Sequence, residues 1–296
     1  MWKKLKNGSK IGLIAPSSPF EKKDLNHALN WFKKYGFDPV FGQSIFMKDR
    51  FLAGSDDARA LDIMTFFEDA SIDAIFCVRG GYGSPRLLNL LDYKVIKNNP
   101  KPVIGFSDNT ALQWAIYTKT SVPSISGLTL IADFKTDVLA KNTENSLFKA
   151  LHLEDYSVTG GQTIIEGKAE GQIACGCLSM IVSLMGTPFF PDLKNKILII
   201  EDVGEEPYRI DRMLNQLKLA DSFSKISALI IGKFKNCIAK DKNDGTIKEV
   251  ISDNLKDIKK PVLIDFPYSH HDNRYVLPMG INAFLDTKEK TLKIIF

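Results

Sequence analysis

Ser107 stands at an abrupt change of pattern, where the apolar run 103–106 stops and Asp108 opens a segment of helical character. Two chemistries fit a hydroxyl there. Serine is a preferred helix N-cap, and Asp108 in the first turn would complement the helix dipole. A tight strand-to-helix turn also lifts a serine Oγ out of a sheet and aims the next N–H, that of Asp108, at a substrate oxygen. The nucleophile-elbow pattern G-x-S-x-G is not met, because Asn109 stands where its second glycine would be, and this disfavours an α/β-hydrolase.

A nucleophilic serine needs a base, and the chain has four histidines, His27, His152, His270 and His271. His27 falls in a surface helix and His152 beside a polar stretch. The pair at 270 and 271 follows the apolar run "PVLIDFP" and suits the role best, a plain surface pair being the other reading. A catalytic imidazole is steadied by a shielded carboxylate. Glu201 ends the apolar "KILII" and is better placed for shielding than Asp202, Glu205 or Glu206; an acid in a surface ion pair is its alternative. The glycine-rich "RGGYGS" matches neither G-x-G-x-x-G nor G-x-x-x-x-G-K, which argues against a nucleotide phosphate loop. Its backbone N–H groups can still face an anion without side-chain obstruction, as an oxyanion hole requires.

These residues follow apolar runs, and the runs alternate with amphipathic segments. Strands are predicted over 10–15, 38–41, 72–78 and 101–106, and helices over 21–36, 56–69, 84–92 and 108–118, with Ser84 as a cap and Pro85 at the first helical position. Such alternation implies a parallel sheet covered on both faces. Ligands collect beyond the carboxyl ends of such strands, where Ser17, Ser18, the stretch 79–83 and Ser107 lie. Residues 135–170 are more polar and less periodic, and a linker is drawn at 151–170 between domains 1–150 and 171–296. The second half again mixes strands and helices, and its tail reads as two antiparallel strands joined around "TKEK". The fold class is therefore α/β, with some antiparallel sheet in the second domain.

Composition narrows the classes. The 296 residues, 44% apolar and 25% charged, describe an ordinary soluble globular protein. The net charge of +4 comes from scattered lysines, which fits a solvated surface better than a nucleic-acid site. Cys77, Cys175, Cys177 and Cys237 lack zinc-ligand spacing. The apolar stretch 11–15 is too short for a signal-peptide core of ~7–15 residues, and no run spans a bilayer. A cytoplasmic protein with reduced thiols is expected, without membrane, metal or organic cofactor.

Taken together, "IGLIAPSSP", "FLAGSDDARALDI", "IFCVRGGYGSPRLL", "IGFSDNTAL", "GCLSMIVSLMGTPFFPD", "ILIIEDVGEEPYRIDRML" and "FPYSHHDNRYVLPMGINAFLD" resemble the LD-carboxypeptidases of peptidoglycan recycling, or muramoyltetrapeptide carboxypeptidases, which are serine peptidases. The resemblance implies a flavodoxin-like N-terminal domain, a smaller C-terminal α/β domain, an active site between them and often a homodimer. It puts the nucleophile on Ser107, the acid on Glu201 and the histidine on His270, seven positions before Leu277. Oxyanion donors would be the amides of Asp108 and Gly81, with Ser17, Arg79 and Gly80 toward a murein peptide substrate; a structural role for Arg79 is the alternative. One branch of the family instead cleaves peptide-nucleotide antibiotics, and a non-catalytic anion-binding module is a further reading. Two departures from the family fall near the expected cleft: "SISGLTL" replaces a His-Gly-Pro stretch, and Cys177 replaces an asparagine.

Overall fold

The computed structural model describes residues 1–296, the side chain of Lys242 excepted. The first half supplies β1 (Lys10–Ile14), β2 (Asp38–Phe41), β3 (Ile72–Cys77), β4 (Val103–Gly105) and β5 (Ser124–Ser126). The second half supplies β6 (Tyr156–Thr159), β7 (Gln162–Ile165), β8 (Lys168–Cys177), β9 (Ile197–Glu201), β10 (Ala228–Lys233), β11 (Val262–Ser269), β12 (Leu277–Met279), β13 (Asn282–Asp286) and β14 (Thr291–Ile295).

Among the described residues, one sheet runs β12-β5-β4-β3-β1-β2. Its strands β2, β1, β3, β4 and β5 are parallel, the flavodoxin-like order, whose ligand crevice opens between β1 and β3. Val103, Ile104 and Gly105 are all buried, as are the five residues of β9, because helices cover both faces of these parallel strands. The other sheet, with eight strands against six, runs β6-β14-β13-β8-β9-β10-β11-β7. Strands β8 to β11 are parallel, and antiparallel strands flank them on both sides.

The helix Thr110–Thr120 lies between the sheets. Its sequence "TALQWAIYTKT" is apolar around most of its circumference, as a helix sandwiched on two sides must be. It packs on β4 and β5 and on β8, and Trp114, fully buried, donates its indole N–H to the Cys175 carbonyl at 2.8 Å.

Two local expectations change. The stretch 151–170 is not a free linker: β6, β7 and the start of β8 are built into the second sheet. Alternate residues of Tyr156–Thr159 are buried, a pattern too short to stand out among polar outward-facing neighbours. The boundary is also crossed once more, because β12 leaves the second sheet and pairs antiparallel with β5, Leu277 opposite Ser126. The segment between β11 and β12, which carries His270, is thereby tied to both sheets. No helix is long and apolar enough to cross a membrane among the described residues.

Candidate active site

The sequence left Ser107 between cap and nucleophile, and the backbone removes the first reading. Ser107 has φ 63°, in the left-handed region that a non-glycine residue occupies at a cost of order 1–2 kcal/mol. It begins a single 3-10 turn, Ser107–Asn109, for which Phe106 holds the cap position. The α-helix starts only at Thr110, and Ser107 caps neither element. Its hydroxyl opens instead on a cleft of about 590 Å³, lined also by Gly80, Gly81, Phe106 and His270.

A buried polar network holds the strained turn. The Asp108 carboxylate, 1% exposed, accepts from the Ser17 hydroxyl and from the N–H groups of Gly83 and Ser84, the last at 2.8 Å. The Ser84 hydroxyl donates to the Asp108 carbonyl at 2.6 Å, so it is no helix cap; Gly83 occupies that position. Asn109, which breaks the elbow pattern, donates to the Ser17 Oγ at 3.0 Å and to the Arg79 carbonyl at 3.3 Å. Ser17 is therefore corrected from substrate-binding to positioning: it is wholly buried, and its hydroxyl is used within the network.

The loop after β3 comes against Ser107. A Cβ at Gly80 would sit 3.0 Å from the Ser107 Cβ and 3.3 Å from its Oγ, and Gly81 has φ 109° with the Ser18 Oγ in the space of a side chain. Gly81 needs its glycine for that φ, and at Gly80 a side chain would press on Ser107. Arg79 stands exposed at the edge of the cleft with its Nη1 on the Pro19 carbonyl at 2.8 Å.

Glu201, at the end of β9, is fully buried and its Oε2 accepts from the His270 Nδ1–H at 2.7 Å and from the His270 backbone N–H at 3.1 Å. Burial pushes the Glu201 carboxyl above the ordinary range, and the bond and charge of His270 pull it back. That bond fixes the ring so that Nε2, without a partner among the described residues, is the free nitrogen. Ser107 Oγ and His270 Nε2 do not hydrogen-bond here, a contact that often tightens only with substrate bound. Phe106 joins the two residues sterically, its ring centroid 4.5 Å from that of His270.

His271 takes another direction. It lines a separate, more apolar hollow of about 650 Å³ against the helix Ile247–Leu255, which contains neither Ser107 nor Glu201. Partial burial and the cations of Lys235 and Lys233 lower its pKa.

Sequence reasoning missed Arg274 and Asp133. Arg274, 4% exposed, bonds Asp133 at 2.7 Å, the Gly127 carbonyl at 2.6 Å and the His271 carbonyl at 2.9 Å, with its guanidinium 4.7 Å from the Phe106 ring centroid. It fastens the loop of His270 and His271 to the first sheet, over Phe106 next to Ser107. An arginine at the head of an apolar run carries no signal for that. Of the two departures from the family, the stretch 124–130 reaches the cleft through Thr129. Ser126 is buried and bonded to the Tyr268 hydroxyl at 2.8 Å, and Cys177 is a buried thiol held neutral by burial and by the acids Asp202 and Glu201.

A serine strained at a strand-to-helix turn and a histidine backed by a buried glutamate, lining one cleft, form the arrangement that a hydrolase working through an activated serine requires. The chain belongs to the LD-carboxypeptidase family: residues 11–127 match its N-terminal domain and residues 170–285 its C-terminal domain. It is 33% identical to a Bacillus subtilis protein described as a probable murein peptide carboxypeptidase, over 99% of this chain and 93% of that one. Its fold superposes on muramoyltetrapeptide carboxypeptidase from Oxalobacter formigenes with a TM-score of 0.88 at 27% identity, covering 97% of this chain and 99% of that one. The microcin C7 self-immunity protein MccF, in complex with aspartyl sulfamoyl adenosine, gives 0.92 at 27% identity, covering 100% and 98%.

Proposed function

We propose that this protein is a serine carboxypeptidase that hydrolyses the bond between an L-configured centre and the terminal D-alanine of murein tetrapeptides. The observation that carries the reading is the Glu201–His270 pair, whose buried Nε2 has no partner among the described residues, in a histidine that lines the same cleft as Ser107. His270 takes the Ser107 proton as Oγ attacks the scissile carbonyl, and Glu201 stabilises the imidazolium. The amides of Asp108 and Gly81 stabilise the oxyanion. His270 then passes the proton to the departing D-alanine amine, and a water activated by the same imidazole releases the acyl group. Arg79 and Gly80, at the edge and wall of the cleft, bind the substrate, Arg79 through a carboxylate.

In this reading the nucleophile belongs to residues 1–150 and its partners to residues 171–296, and the enzyme acts in the cytoplasm as a homodimer. Its four free thiols stay reduced there. Neither metal nor organic cofactor enters the reaction. The fold similarity to MccF favours a second reading, cleavage of a peptide-nucleotide conjugate by the same residues. Measuring D-alanine release from a murein tetrapeptide beside hydrolysis of an aminoacyl sulfamoyl adenylate separates the two. D-Alanine release that vanishes in Ser107→Ala is the expected result; turnover of the adenylate alone, or full activity in Ser107→Ala, sinks the proposal.

A further inference from the structure

In the proposed reaction only one residue lies on the leaving side of the scissile bond. The three residues before it, at ~3.3–3.6 Å each, extend roughly 10 Å further; they bear free carboxylates, and in muramoyl substrates a sugar follows. This acyl portion must run along the surface next to the Ser107 cleft.

Arg79 marks a continuation. It lines the cleft and also a second, open hollow of about 730 Å³. Phe20, Phe46 and Phe51 line that hollow. Phe20 and Phe46 pack at 5.6 Å between centroids, as do Phe51 and Tyr82. Tyr82 belongs to the same loop as Gly80, which abuts Ser107. The rings remain open to solvent, Phe46 at 42% and Phe51 and Tyr82 each at 50%, and clustered exposed aromatics on a soluble protein mark a binding surface.

The charge has a sign. Lys22, Lys48, Arg50 and Arg79 face Glu21 and Asp24, four cations against two acids, and Asp24 is turned back to the Glu21 N–H at 3.2 Å. Lys22 sits 5.5 Å from the Phe46 ring centroid and Arg50 5.5 Å from that of Phe51. Arg50 is paired with Asp49 at 3.4 Å and Arg79 with the Pro19 carbonyl; rings beside such cations, with Lys22 and Lys48 among them, suit a ligand that has both carboxylates and the C–H faces of a sugar.

We infer that this hollow is the subsite for the acyl side of the substrate, taking the anionic stem peptide and the sugar attached to it; the inference rests on the carboxypeptidase reading. Remote binding of this kind raises kcat/KM for long substrates over truncated ones.

The test compares D-alanine release from muramoyl-tetrapeptide and from Nα-acetyl-L-lysyl-D-alanine, in the wild type and in the double variant Lys48→Ala, Phe51→Ala. The wild type should prefer the long substrate, and the long-over-short ratio of kcat/KM should fall about tenfold in the variant, one charge-assisted contact and one stacked face being worth at least ~1.4 kcal/mol. An unchanged ratio overturns the inference. So does a dimer that dissociates in the variant by sedimentation, which would assign the patch to a second copy of the chain. Calorimetric titration of muramoyl-tripeptide into the Ser107→Ala protein, with and without the two substitutions, tests the subsite without turnover. If no peptide releases D-alanine while that binding persists and needs Lys48 and Phe51, the peptidase reading fails and the subsite stands; if the binding ignores the substitutions, the subsite fails.

Discussion

Glu201→Gln removes a charge and leaves the shape. In the wild type, Oε2 accepts two bonds from His270, from Nδ1 at 2.7 Å and from the backbone N–H at 3.1 Å, inside a fully buried site. Both bonds fall on one oxygen, so a glutamine carbonyl in its place can keep both, while the NH₂ replaces an Oε1 that has no partner among the described residues. The imidazolium then loses its counter-charge, and in the flipped amide the NH₂ donates to Nδ1 and holds the tautomer with its proton on Nε2, useless as a base toward Ser107. Loss of the orienting carboxylate in a serine triad costs about 10⁴ in kcat, or about 5.5 kcal/mol of transition-state stabilisation. Stability should move the other way. Burial, the largest influence on Glu201, holds its carboxyl above the ordinary value, and His270 only partly offsets this. A group with a raised pKa in the folded state gives its full stabilisation below the unfolded pKa and loses it as pH rises through the folded one. Glutamine does not titrate, so the stability of the wild type minus that of the variant should decrease as pH is raised through that range. Urea unfolding at a series of pH values, with D-alanine release on the same protein, measures both effects. A variant within about tenfold of wild-type turnover, or a stability difference that does not decrease with pH, refutes the reasoning.

Other substitutions probe the frame of the site. Ser107→Gly should abolish turnover yet raise unfolding stability by about 1 kcal/mol, because glycine accepts φ 63° without strain; a less stable variant would mean the turn is not strained. Ser17→Ala strips a partner from both Asp108 and Asn109 and should cost about 1–3 kcal/mol of stability, lowering kcat rather than raising KM. A pure KM effect would return Ser17 to the substrate side. Arg274→Met leaves the Asp133 carboxylate buried and unpaired, for a loss of about 3–5 kcal/mol. Adding Asp133→Asn should recover part of that in thermal unfolding, and no recovery would argue against the ion pair. His271→Ala should keep activity where His270→Ala loses it, since only His270 meets Glu201.

Much of this is legible in the sequence. Ser107, Glu201 and His270 each follow a run apolar enough to be a buried strand, and β4, β9 and β11 lie there. Local sequence could not tell Ser107 from a cap, because the same serine and acid suit either role. The difference is a backbone angle, and the network of Asp108 with Ser17, Gly83 and Ser84 imposes it from two other loops. Ser17 was misjudged for the same reason: a hydroxyl just past a strand looks free until its partners are known.

The sequence by itself determined β1 to β4, β9 to β11 and the reactive side chains at their ends, since periodic burial and turn chemistry act over a few residues, while the short β5, β6 and β7 left no such pattern. Tertiary structure decided what meets what. The return of β12 to the edge of the first sheet, opposite β5, draws the His270 loop across from the second. Arg274 fastens that loop over Phe106, next to Ser107. Both contacts join residues far apart in the chain, where pairing is chosen by the packing of two whole sheets and leaves no local trace.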